Sequence, residues 1–129
     1  MSASATDEPI PVSLAGVVLD APDARELADF YVRLLGWRVI SDEPQWVTIE
    51  GPGPGAHLSF QSEPAYQPPT WPSDREHQQM MLHLDFAVED LEGAHAHAVA
   101  VGAVPATWQP QEHVRVYTDP AGHPFCLFT

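Results

Sequence analysis

The sequence predicts an α+β fold of two βαβββ modules that form a cupped, mostly antiparallel sheet with the helices outside. Three observations carry this. The first is an internal repeat at one offset. Asp23 and Asp90, which precede the two helical runs, lie 67 residues apart. The same offset carries "QWVTIEGPGPGAHLSF" (Gln45 to Phe60) onto "EHVRVYTDPAGHPFCL" (Glu112 to Leu127), so that Val47 meets Val114, Ile49 meets Val116 and Gly55 meets Gly122. The second is a pair of apolar stripes at helical spacing. The third is a set of short runs that alternate between apolar and mixed residues, as a strand with two different faces does.

The first helix is expected to begin at Asp23, an N-cap with Glu26 three residues on, close to a capping box. Its stripe is Leu27, Phe30 or Tyr31, and Leu34, and Gly36 supplies a stop that tolerates positive φ. In the second helix Asp90 caps, Leu91, Ala94, Ala98 and Val101 form the stripe, and Gly102 stops it. That thin, alanine-rich stripe predicts close packing on the sheet. The modules are placed at about 13–61 and 80–129, in one domain. Between them "SEPAYQPPTWPSDREHQQ", Ser62 to Gln79, holds four prolines and reads as a linker, with Tyr66 and Trp71 as anchors. Its length suits an ordered arm or lid. Residues 1–12 lack the basic and apolar regions of a secretory signal and are expected to be a flexible tail.

Composition narrows the partners. The chain has 129 residues, with 18 acidic and 5 basic side chains, the latter all arginine, and a formal charge of −13. This argues against nucleic acid and anionic membrane as partners. No run approaches the roughly 18 apolar residues of a membrane span. Cys126 is the single cysteine, which excludes an intrachain disulfide and fits a reducing, cytoplasmic setting.

Alternation assigns the faces. In "WVTIE", Val47 and Ile49 oppose Trp46, Thr48 and Glu50; in "AHLSFQ", Leu58 and Phe60 oppose His57, Ser59 and Gln61. In "MLHLDFAV", Leu82, Leu84 and Phe86 oppose Met81, His83 and Asp85; in "HVRVY", Val114 and Val116 oppose His113, Arg115 and Tyr117. Apolar faces should lie under the helices. The mixed faces should line a cup holding Trp46, Thr48, Glu50, Ser59, Gln61, His83, Asp85, His113, Arg115, Tyr117, Cys126 and Phe128, a combination of aromatic surface and convergent polar groups suited to a small molecule. Arg115 either pairs with Glu50 or Asp85 or stays free to fork onto a ligand anion. His95 and His97, two apart on a helix, do not share a face and should be solvated. His77 should be exposed in the linker. His123 should shape its turn, Cys126 should act as a small apolar residue, and "GPGPG" (Gly51 to Gly55) opens a strand, so it is a turn rather than a phosphate loop.

The stretches "PDARELADFYVRLLGW", "HLDFAVEDLEGA" and "DPAGHPFCLF" resemble the vicinal oxygen chelate superfamily, which includes glyoxalase I, extradiol dioxygenases and bleomycin- and fosfomycin-resistance proteins. The resemblance covers residues 14–129. It implies the glyoxalase fold, a small-molecule ligand and a homodimer. It also implies metal ligands at matching strand positions, here Gly16, His83, Ser59 and Cys126. Metal-dependent members carry His, Glu or Gln there, and only His83 fits. The expectation is therefore a metal-independent small-molecule-binding protein of the glyoxalase/bleomycin-resistance type, with no cofactor. The alternative is a lyase, isomerase or dioxygenase using His83 as metal ligand or general base, with zinc on His83, Cys126 and one carboxylate as the remaining divalent-metal version.

Overall fold

The computed structural model describes residues 9–129; residues 1–8 of the expected tail lie outside the described residues. The first module runs β1 (Gly16–Ala21), α1 (Ala24–Leu35), β2 (Arg38–Glu43), β3 (Trp46–Glu50) and β4 (His57–Ser62). The second runs β5 (Leu84–Ala87), α2 (Leu91–Ala100), β6 (Val104–Pro105), β7 (Val114–Thr118) and β8 (Pro124–Phe128). Each module forms its own four-stranded sheet, in the orders β1-β4-β3-β2 and β5-β8-β7-β6. In each, the first and last strands pair in parallel and the other neighbours are antiparallel. Two βαβββ units are what the repeat predicts. No described helix is long and apolar enough to cross a membrane.

Both helices start as their sequences dictate. Asp23 is extended and accepts from the Arg25 backbone N–H; Asp90 does the same for Gly93. A Cβ at position 93 would lie 2.4 Å from Asp90 Oδ2, so glycine is what lets that cap close. Helix α1 ends at Gly36 with φ 69°, donating to the Val32 carbonyl at 2.9 Å. It buries Leu27, Ala28, Phe30 and Tyr31, whereas α2 buries Ala98 alone. Neither helical histidine is simply solvated. His95 Nδ1 lies 2.7 Å from the Tyr117 hydroxyl, and His97 Nε2 lies 3.1 Å from the carbonyls of Arg33 and Leu34 at the end of α1. The end of α1 leaves those carbonyls without helical partners, so a nearby ring N–H is the natural donor.

The repeat holds through the parallel pairs and fails in the hairpins. Val17 pairs with Leu58, and Leu84 with Phe125, both at the offset of 67. Val47 pairs with Phe60, but Val114 pairs with Phe128, one residue beyond the repeat position Leu127. A one-residue slip turns every side chain of a strand to the other face. In the first module Val47 and Ile49 therefore face the core with Leu58 and Phe60, as alternation predicts. In the second, Arg115 and Tyr117 share the core side with Leu127 and Phe125, and Val114 and Val116 share the outer side with Phe128 and Cys126. The expected placement of His113, Arg115 and Tyr117 in the cup is thus corrected by this slip.

The core lies between the modules and under α1. Tyr31 stacks on Phe60 of the first sheet and meets Phe86 and Phe125 of the second. Its hydroxyl donates to Asp119 Oδ2 at 2.7 Å, while Asp119 Oδ1 accepts from the backbone of Ala121 and His123. Asp119 is buried, and burial pushes its carboxyl above the usual range despite these three donors; burial and the adjacent carboxylate push the Tyr31 hydroxyl well up. The Asp-Pro-x-Gly turn thereby ties the second module to the helix of the first. His123 adds to the tie, with Nε2 2.6 Å from the Asp20 carbonyl.

Candidate functional site

Two pockets of similar size lie on the outer faces of the sheets, rather than one cup. The first, about 580 Å³, is lined by Trp46, Gln61 and Asp20 of the first sheet, by His123, and by linker residues including Tyr66 and Gln79. Several polar groups of this face are mutually engaged. Gln61 donates to Asp20 at 3.2 Å, Trp46 Nε1 donates to Thr48, and Thr48 meets Ser59 at 2.8 Å. The linker reaches back through the Tyr66 hydroxyl, which donates to the Ala121 carbonyl at 2.7 Å.

The second pocket, about 570 Å³, is lined by Trp71, Trp108, Pro110, Gln111, Val114, Val116, Phe128, His83, Asp85 and Cys126. Here the register slip matters directly, because it turns Val114 and Val116 outward to give an apolar floor. Trp71, from the linker, lies over His83 with ring centres 4.8 Å apart and meets Trp108 edge to face at 4.9 Å. Trp108 is held by its neighbour. Gln109 donates to the Val116 carbonyl and accepts from the Val116 N–H, at 2.9 and 3.0 Å, continuing the ladder beyond the short strand β6.

His83, Asp85 and Cys126 converge at the pocket edge, with ligand atoms within 4.8 Å of one another. Asp85 sits opposite Cys126 in the β5–β8 pair, and His83 Nε2 lies 3.0 Å from Asp85 Oδ1. Burial, then the Asp85 carboxylate and hydrogen bonding to it, push the Cys126 thiol up to about 11. The thiol is therefore protonated near neutral pH and is a poor nucleophile there.

The predicted site residues thus separate. His83, Asp85, Cys126 and Phe128 meet in the second pocket, and Trp46 and Gln61 line the first. Glu50 lines neither; it pairs with Arg38 and lies 3.4 Å from His57 Nε2. Arg115 pairs with Glu92 on α2, which settles it as an ion pair, though with neither expected partner. Tyr117 is buried and stacked on Phe125, and His113 is exposed at the start of β7. Trp108 was not expected. It stands in "ATWQPQEH", a proline-interrupted loop without alternation, and Ser41 at the repeat position offers no parallel.

A family-type metal would draw on Gly16, Ser59, His83 and Cys126. Gly16 has no side chain, and a Cβ there would approach the His57 carbonyl to 3.0 Å. Ser59 is engaged with Thr48. The four-position set therefore does not fit. Three donors remain on the second module, a number that zinc accepts.

Residues 16–128 match the family model of the glyoxalase-like domain, and the chain belongs to this family. No curated protein matches the chain. Solved structures with the same fold include a glyoxalase family protein from Enterococcus faecalis (TM-score 0.68, 19% identity, 91% of this chain and 97% of that one). A lactoylglutathione lyase from Agrobacterium tumefaciens is also similar (0.61, 15%, 92% and 93%), as is an antibiotic binding protein from Streptomyces sp. CB03234 (0.58, 19%, 93% and 98%). An enzyme and a binding protein stand equally near, so the fold is common ground and the site must argue function.

Proposed function

We propose that this glyoxalase-like protein binds a small aromatic molecule in the pocket of its second module, without the family's full metal site. The observation that carries the reading is the convergence of Trp71, Trp108 and Phe128 around an apolar floor of Val114 and Val116. A flat ring inserted there would contact indole faces and edges, and the volume suits a drug-sized ligand. His83, Asp85 and Gln111 supply the few polar groups that orient it. The likeness to an antibiotic binding protein supports a sequestering role.

A second reading rests on the His83–Asp85 pair at 3.0 Å, a carboxylate-oriented imidazole that could act as general base or metal ligand. Metal content of protein purified without chelators, beside His83→Ala, separates the two. The binding reading expects no stoichiometric metal and retained affinity for aromatic ligands in the variant. Stoichiometric metal that disappears in His83→Ala would overturn it in favour of the second.

A further inference from the structure

We infer that the second module's pocket selects planar aromatic cations over neutral and anionic rings of the same shape; this rests on the binding reading above. None of the five arginines lines the pocket, and the chain has no lysine. Arg115, the cation nearest in sequence to the floor, is turned to the other face and held by Glu92. Asp85 supplies the one carboxylate of the lining, and no arginine stands beside it. A carboxylate or phosphate on a ligand would meet Asp85 and find no arginine or lysine to offset it. A ring bearing a protonated nitrogen would find the opposite.

The aromatic side chains act in the same sense. Indole and phenyl faces carry negative quadrupole, and a delocalised cation packed on the floor against this aromatic lining gains from it. A carboxylate accepts several donors, so Asp85 can keep His83 while taking a ligand N–H. The net charge of −13 adds a long-range field that draws cations and repels anions. The first pocket differs in its aromatic surface, which is limited to Trp46, Tyr66 and the His123 ring.

The test is a fluorescence titration with three rings of matched size: 9-aminoacridine as the cation, acridone as the neutral ring and 9-anthracenecarboxylate as the anion. Wild type, Asp85→Asn and Trp108→Ala are compared, each checked for an unchanged melting temperature. The expected order is cation, neutral, anion, with the cation about tenfold tighter than the neutral ring. Asp85→Asn should remove that preference by weakening the cation about tenfold. Equal binding of cation and neutral ring, or a preference that survives Asp85→Asn, overturns the charge selectivity while Trp108-dependent acridone binding keeps the pocket reading. No binding of any probe, or binding that Trp108→Ala leaves intact, overturns both.

Discussion

The two modules share cap geometry, parallel-strand register and a repeat of 67 residues, yet they differ by one residue in a hairpin, and that residue decides which of them carries an apolar pocket. In the first, the β3–β4 register turns Val47 and Ile49 inward and leaves Trp46, Thr48, Ser59 and Gln61 outside, bonded to one another or to Asp20. In the second, the slipped β7–β8 register turns Tyr117 and Arg115 toward α2 and the core, and puts Val114, Val116, Cys126 and Phe128 outside. The two modules keep one scaffold, and a hairpin shift gives them different surfaces.

The largest effect expected is at the joint between them. Asp119→Ala would strand the Tyr31 hydroxyl and two backbone N–H groups in a buried setting, and should destabilise the fold by about 3 kcal/mol in denaturant unfolding. Unfolding of one module before the other in that variant would sharpen the comparison by exposing them as separate units. Next is Trp108→Ala, which should weaken aromatic ligand binding roughly tenfold in calorimetric titration. Gln109→Ala frees the loop without removing the indole, and should cost about threefold in the same assay.

Alkaline pH probes the second module through its thiol. The Cys126 thiol is raised from 9.0 to about 11 in the fold, so the folded chain holds that proton more tightly than the unfolded one. Its contribution is complete below pH 9.0 and lost as pH rises toward about 11, and Cys126→Ser should flatten that part of a stability–pH curve. The smallest effect belongs to Arg115→Ala, which should leave ligand affinity unchanged because the side chain lies on the α2 side. A large loss there would break the assignment of faces.

Much of this was legible in the residues. Caps at Asp23 and Asp90, the stops, and the outward turn of His83 and Asp85 follow from local chemistry and alternation. The hairpin register did not follow, because "HVRVY" and "WVTIE" alternate identically and alternation alone cannot say which set faces in. Loop length gave no signal either, because the offset of 67 holds across both hairpins, from Val47 and Val114 to Gly55 and Gly122. Trp71 and Trp108 come from segments without period, so their meeting over His83 depends on tertiary contacts such as Gln109 on Val116.

The most direct measurement sets one tryptophan of each module against the other. Titration of wild type, Trp108→Ala and Trp46→Ala with a single aromatic ligand should show affinity lost in the first variant and kept in the second. Affinity lost in Trp46→Ala and kept in Trp108→Ala would place the ligand on the first module and contradict the account.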